Sequence, residues 1–137
     1  MAVTGAIGSV SYEDAGAGVT KVTIPWTSDA AAGTVGEIGV ALPAGTILRL
    51  RTVPGAGGVA PTDNYDVTLL DAVGGADVLG GAGADRDTAN TEIATPTLAT
   101  YFRPWIPAGT YYPTVAAAGN SKAGTIELLM TKSVIAG

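Results

Sequence analysis

The fold is decided by the stretch Tyr65-Asp66-Val67-Thr68-Leu69, in which large apolar side chains alternate with polar ones. Successive side chains of a β-strand point to opposite faces, so this period of two predicts a strand with one buried face and one exposed face. We expect Tyr65, Val67 and Leu69 to face inward, and Asp66 and Thr68 to face outward. The stretch therefore predicts a half-buried strand.

The same alternation recurs elsewhere in the chain. The other predicted inward positions are Val22, Ile24 and Trp26; Leu48 and Leu50; and Ile126, Leu128 and Met130. Arg49 and Arg51 would share the outward face of their strand, where ion pairs are the favoured role. Glycine and proline interrupt the chain too often for long helices, and β-branched threonine is frequent. These features predict an all-β, single-domain antiparallel β-sandwich or β-barrel.

Two regions lack a clear strand pattern. Residues 1–18 are rich in glycine and alanine, and we interpret them as an N-terminal arm or edge segment that precedes a single β domain at 19–137. Residues 80–97 are predicted to form one long loop. The arm is a candidate contact surface, because a small-residue segment can become ordered against a neighbouring protein.

Composition narrows the classes of function. The 137 residues include no histidine and no cysteine, which are the side chains most used for proton transfer, nucleophilic attack and transition-metal binding. The net charge is −5 and the seven Lys and Arg residues are scattered, so no nucleic-acid partner is expected. No apolar run is long enough to span a membrane, and the N-terminus predicts no signal peptide. We expect no membrane partner, no cofactor and no enzymatic activity.

A glycine-rich string, Gly80-Gly81-Ala82-Gly83-Ala84-Asp85, matches the first six positions of a calcium-binding nonapeptide. Asp77, Asp85 and Asp87 are the candidate ligands. The match then fails, because Asp77 and Asp85 are eight residues apart and Asp87 stands where a large apolar residue belongs. A glycine-rich connection without metal is the favoured interpretation.

Aromatic residues concentrate in one short segment. Five of the eight lie between residues 101 and 112, interleaved with prolines that disfavour regular strand pairing. Aromatic side chains beside an arginine are typical of protein interfaces. The interface candidates are Tyr101, Phe102, Arg103, Trp105, Tyr111 and Tyr112. The same side chains could instead pack in a core hairpin, Tyr101 with Tyr111 or Phe102 with Tyr112, or could stack on sugars.

Four segments occur together in a familiar order. They are Trp26–Ala30, Pro61–Asp71, the continuation from Asp77-Val78-Leu79 to Arg86-Asp87-Thr88, and Ala118–Thr125. Together they resemble small virion proteins encoded in the head-gene region of long-tailed bacteriophages. The resemblance covers roughly residues 19–130, and its most specific part is Pro61–Asp71.

The resemblance implies a capsid decoration (cement) protein. Such proteins are small, β-rich and trimeric, and they bind the outer surface of an expanded head shell. The implied partners are the major capsid protein and two further copies of this chain, and the implied location is the outer capsid surface of the virion after synthesis in the host cytoplasm. The resemblance supplies no catalytic residue. The alternatives are a carbohydrate-binding module that stacks sugars on Trp105, and another virion component of the tail or the head–tail connector.

Overall fold

The computed structural model describes residues 5–97 and 104–131. The strands in this part of the chain are β1 (Ala6–Ile7), β2 (Ser11–Gly16), β3 (Val19–Thr27), β4 (Val40–Leu42), β5 (Gly45–Pro54), β6 (Asp66–Leu70), β7 (Glu92–Ala94), β8 (Trp105–Ile106), β9 (Gly109–Ala116) and β10 (Ala123–Thr131). A single 3-10 turn, Gly57–Val59, follows β5 within the described residues. No helix in residues 5–97 or 104–131 is long and apolar enough to cross a membrane.

The larger sheet is built on three long antiparallel strands. Strand β10 lies in the middle and pairs with β3 on one side and with β5 on the other. The short strands β1 and β2 follow one another along the free side of β3. Strands β7 and β8 do the same along the free side of β5. Three full-length strands thus carry the sheet, and four short ones complete its two sides.

The smaller sheet has the order β4-β9-β6 and is also antiparallel. The larger sheet curls into a half-barrel, and one apolar core contains side chains from both sheets. The prediction of an all-β fold is confirmed.

The predicted inward faces of three strands are also confirmed. Val22, Ile24 and Trp26 are buried on β3, and the stretch that begins at Tyr65 buries Tyr65, Val67 and Leu69. On β10 the buried positions Ile126, Leu128 and Met130 alternate as expected, although the last outward residue, Thr131, is buried too. The pattern of an apolar residue at every second position therefore predicted these inward faces correctly.

Strand β5 departs from simple alternation. Leu129 pairs with Arg49 and the next residue, Met130, pairs with Ile47, so Leu48 is an extra residue that forms a β-bulge. A bulge places two residues opposite one and changes which side chain faces the core. The prediction that Leu48 faces inward is wrong, because Ile47 fills the core position and Leu48 is only half-buried.

The two regions without a clear pattern are more regular than expected. The described part of the N-terminal segment contains β1 and β2, which pair with β3, so it lies along a sheet edge. Strand β7 falls inside the predicted loop 80–97 and pairs with β5. All six residues of β2 are exposed, which explains why its sequence carries no apolar alternation.

Candidate interaction surface

The larger sheet has one face in the core and one face turned away from it, which we call the outer face. The outer face consists of residues that alternate with core residues along a strand. Residues that pair with these on the neighbouring strands belong to it as well. The outer face includes Lys21, Thr23, Arg49, Arg51, Ile93, Trp105, Glu127 and Leu129. Three of the chain's seven Lys and Arg residues lie here, and two of them, Lys21 and Arg51, are directly opposite acidic residues on neighbouring strands.

Two ion pairs join neighbouring strands on the outer face. Arg51 Nη1 donates to Glu127 Oε2 at 2.8 Å, and these residues are directly opposite in the β5–β10 register. Lys21 Nζ lies 3.6 Å from Glu13 Oε1, again between paired residues. The predicted ion-pair role of the strand β5 arginines thus applies to Arg51.

The other arginine, Arg49, makes no ion pair with a described residue. It lies on β5 between Leu50–Thr52, which pair with β7, and Gly45–Thr46, which pair with β8. Two exposed apolar side chains lie on these neighbouring strands: Ile93, 59% exposed, is opposite Arg51, and Trp105, 46% exposed, is opposite Thr46. The outer face thus combines an arginine with two exposed apolar side chains.

The aromatic candidates lie in different environments. Trp105 is exposed on β8, whereas Tyr111 is only 5% exposed and belongs to the core. The Tyr111 hydroxyl donates to the Pro107 carbonyl at 2.7 Å, and burial raises the pKa of that hydroxyl. Tyr112 is half-buried. The structure thus removes Tyr111 from the surface candidates; Tyr101, Phe102 and Arg103 lie outside the described residues.

Strands β8 and β9 enter different sheets, whereas Tyr101 and Phe102, the predicted hairpin partners of Tyr111 and Tyr112, lie outside the described residues. Strand β8 pairs with β5 in the larger sheet, whereas β9 pairs with β4 and β6 in the smaller one. Tyr111 is opposite Val40, and Tyr112 is opposite Leu70. Trp105 and Tyr111 therefore belong to different sheets.

The connection between β6 and β7 contains the three calcium candidates, and Asp77 organises its first part. Its carboxylate oxygen Oδ1 accepts from the backbone N–H groups of Leu69 and Leu79, each at 3.0 Å. The other oxygen, Oδ2, accepts from Gly81 N–H at 3.0 Å. Asp77 thus holds the turn against β6, which accounts for an aspartate at this position without a metal.

The other two candidates have separate roles. Asp87 accepts from the backbone N–H of Ala89 at 2.6 Å and from both nitrogens of Asn90. These hydrogen bonds, that from Ala89 first, hold the pKa of the Asp87 carboxyl below its usual value. Asp85 is exposed and has a left-handed backbone with φ of 54°. Within residues 5–97 and 104–131, no three metal-ligating side chains form a cluster.

Calcium is expected to leave the stability of this protein unchanged. Asp77 and Asp87 already direct their carboxylate oxygens at backbone N–H donors, so binding a cation would cost those hydrogen bonds. Thermal melts with excess calcium and with chelator should have midpoints within about 1 °C of each other, because a ligand that binds the folded state raises the midpoint. A clear rise with calcium would contradict this role for the aspartates.

Sequence reasoning missed the special position of Arg49. Its Nε atom is buried and makes no hydrogen bond. The β-bulge at Leu48 and the pairing of Arg49 with Leu129 set its place on β5, and both arise from pairing between distant segments. A local sequence pattern carries no signal for either feature.

The fold and this surface define an all-β domain with a mixed apolar and cationic outer face. The chain was compared with protein-family models, curated proteins and solved structures, and it matches none of them.

Proposed function

We propose that this protein is a non-enzymatic decoration protein that binds the outer surface of a bacteriophage head shell as a trimer and stabilises the shell. The observation that carries the proposal is the outer face, a sheet surface that presents the exposed apolar side chains of Ile93 and Trp105 together with Arg49. Tryptophan and arginine side chains near the centre of a contact supply much of the binding energy in protein interfaces. The outer face carries one residue of each of these types, Trp105 and Arg49.

Two of the segments that resemble phage virion proteins contact each other in the folded chain. Ser28, in the first segment, donates from Oγ to the Gly119 carbonyl at 2.6 Å and accepts from Lys122 N–H at 2.7 Å. Gly119 and Lys122 belong to the last segment. The segment Pro61–Asp71 supplies three core residues of β6 and its neighbourhood. The resemblance therefore concerns residues that build the fold.

A trimeric clamp suits the task of holding a shell together. A packaged genome pushes the shell outward, and each bound clamp adds contacts that must break before neighbouring capsid subunits separate. Three copies joined in one trimer engage three sites at once, so modest individual contacts gain strength from their high effective concentration. A small β domain with a broad outer face can supply such contacts without a deep pocket.

The proposal predicts that the recombinant protein sediments with expanded head shells of the phage that encodes it. Shell stability should rise at the same time, seen as a higher temperature of shell disruption in a light-scattering melt, because bound ligand favours the intact state. Shells incubated with buffer alone are the control.

The position in the particle provides a second readout. Mass spectrometry of separated heads and tails should detect the protein in the heads. Detection only in tails, or absence of binding to expanded shells, would overturn the proposal. Rings of six or twelve copies would favour a tail or connector component instead.

The exposed Trp105 ring favours one other function, carbohydrate binding, since exposed aromatic rings stack on sugars. Binding on a glycan array that is lost in Trp105→Ala would support this function. Glycan binding that persists in Trp105→Ala, or an array without any signal, would argue against it.

A further inference from the structure

Strand β2 is the longest edge strand in the described part of the chain, and one of its sides is free. It pairs with β3 on the other side, and all six of its residues are exposed. The edge strand β6 of the smaller sheet differs, because the loop after it covers its free side: Val67 N–H donates to the Gly83 carbonyl at 2.8 Å. Within the described residues, no loop or strand bonds to the free side of β2 in this way.

The segments that lead into and out of β2 are both described. Residues 5–97 form one described stretch that includes β2. The described residues next to the chain ends lie elsewhere on the larger sheet: Ala6 is opposite Thr27, at the other end of β3, and Thr131 is on β10, two strands away from β2. The free side of β2 is therefore bordered in sequence by described residues alone.

The hydrogen bonds of β3 show how its backbone groups are directed. The Pro25 carbonyl accepts from Gly8 N–H, on the side of β3 where β1 and β2 lie. Ser28 N–H donates to the Lys122 carbonyl, on the side where β10 lies. Because the backbone groups of successive residues point to opposite sides of a strand, the odd-numbered residues of β3 face β2.

This alternation identifies the backbone groups on the free side of β2. Glu13 is opposite the odd-numbered residue Lys21, so Glu13 directs its own backbone groups at β3. Tyr12 and Asp14, its neighbours in the strand, direct theirs to the opposite side. No described group bonds to the backbone of these two residues there. The free side thus offers two N–H donors and two carbonyl acceptors, the groups to which a further strand would pair.

The side chains beside this edge combine an apolar surface with negative charge. Tyr12 is 50% exposed, although its hydroxyl donates to the Ala41 carbonyl of β4 at 2.6 Å. A groove of about 430 Å³ lies beside the strand and is lined by Tyr12, Glu13, Asp14 and the turn Ala17–Thr20. Glu13 has an ion pair, whereas Asp14 makes none with a described residue. A strand that added here would meet an exposed ring and an unpaired carboxylate.

Charge decides which kind of strand fits this edge. If β2 paired with β2 of a second copy so that Tyr12 lay opposite Asp14, all the free backbone groups would be used. That register places the two Glu13 side chains directly opposite each other, and like charges so placed are destabilising. A strand with a lysine or arginine opposite Asp14 gains a favourable cross-strand pair instead.

We propose that the free edge of β2 binds an extended, basic segment of the partner protein, which adds to the larger sheet as a further strand. In this mode of recognition the backbone hydrogen bonds supply affinity and the side chains supply specificity. The inference names a surface through which the shell is held, and it rests on the proposed function for the identity of the partner, a subunit of the shell.

Two substitutions of Asp14 separate the backbone donor from the side chain. Asp14→Pro removes the free N–H, and proline is tolerated on an edge strand where that group faces solvent. Asp14→Ala removes the same carboxylate but keeps the N–H. In sedimentation with expanded shells, the dissociation constant of Asp14→Pro should be about tenfold above that of Asp14→Ala, because a carbonyl of the partner is left without its donor. Equal dissociation constants would overturn strand addition.

Asp14→Asn tests the charge of the partner segment. It should raise the dissociation constant of the wild type about threefold, the size of one exposed cross-strand charge pair, and this difference should shrink as salt is added. Asp85→Asn is the matched control, because it removes the same charge from an exposed aspartate in the loop beside β6, and it should bind as the wild type does. An equal loss in both variants would overturn a basic partner at β2.

Glu13→Pro checks the assigned backbone directions, because it removes a donor that faces β3. It should lower the midpoint of a thermal melt, whereas Asp14→Pro should melt close to Asp14→Ala. Circular dichroism verifies that the variants used in the binding assay are folded. A midpoint that falls in Asp14→Pro but not in Glu13→Pro would reverse the assignment and overturn the proposed edge.

Hydrogen–deuterium exchange separates the contact from the proposed function. The amides of residues 11–16 should exchange more slowly when expanded shells are added. If the wild type binds shells without this change, the contact is overturned and the decoration function is kept. If the wild type never binds shells, the decoration function is overturned and the partner named here falls with it. Slower exchange that appears with rising protein concentration alone would assign the edge to a second copy and overturn the basic segment.

Discussion

Trp26→Ala is expected to lower the free energy of unfolding by about 3–5 kcal/mol, the range for removal of a large aromatic side chain from a core. Trp26 is only 2% exposed, and its ring lies 5.7 Å from the ring of Tyr65, centre to centre. Gly124 makes room for it, because a Cβ atom there would lie 2.6 Å from Trp26 Cζ2. Urea denaturation followed by far-ultraviolet circular dichroism measures the loss.

Trp105 supplies the matched control, since it is the only other tryptophan. It is 46% exposed on the outer face, so Trp105→Ala removes only about half as much buried surface and should lower the free energy of unfolding by about 1–2 kcal/mol. Trp26→Phe should cost less than Trp26→Ala, because it keeps a ring and removes an indole N–H that is buried without a hydrogen-bond partner. Equal losses in Trp26→Ala and Trp105→Ala would contradict this assignment of core and surface.

The inward faces of β3, β6 and β10 could be predicted because buried and less buried residues alternate along these strands. Trp26, Val67 and Leu128 belong to alternating patterns whose period equals that of the strand. When one face of a strand is buried, apolar residues occupy every second position. This pattern can be recognised without information from distant residues. The all-β class followed from the same observation.

The remaining parts of the fold depend on pairing between distant segments. Leu48 lies in a bulge that exists only relative to β10. Strand β2 is exposed along its whole length, so its place in the sheet comes from backbone hydrogen bonds to β3, and backbone pairing leaves no mark on the order of side chains. The segment around β8 illustrates the same limit, because Trp105 and Tyr111 are close in sequence but enter different sheets.

The candidate surface, like the fold, could be predicted only in part from the sequence. Exposure of Trp105 agrees with its selection as an aromatic surface candidate, whereas Tyr111 was selected on the same grounds and is buried. Arg49 resembles Arg51 in the sequence, yet among the described residues β10 places Leu129 opposite Arg49 and Glu127 opposite Arg51. Whether a charge is paired depends on which strand lies beside it, and this information is absent from the local sequence.

The glycines of residues 80–85, which resemble part of a calcium motif, have a steric explanation at Gly83. This residue is buried against β6, and its carbonyl accepts from Val67 N–H at 2.8 Å. A Cβ atom on Gly83 would overlap the carbonyl oxygen of Val67 and lie 3.0 Å from the Val67 side chain. The obstacle is largely backbone, which cannot rotate away as a flexible side chain can. The close approach of the loop to β6 therefore requires glycine here.

Gly83→Ala is accordingly expected to lower the free energy of unfolding by about 2–3 kcal/mol, toward the upper end of the usual cost of overpacking, because the loop and β6 must separate. Gly109→Ala is the control: a Cβ atom on this exposed glycine would have no neighbouring atom within 4 Å, so its substitution should be neutral or stabilise by up to about 1 kcal/mol through a less flexible unfolded chain. Urea denaturation with and without calcium measures both variants. If the loss in Gly83→Ala appeared only in the presence of calcium, the glycine would serve a metal site; a loss independent of calcium is the result that steric contact with Val67 requires.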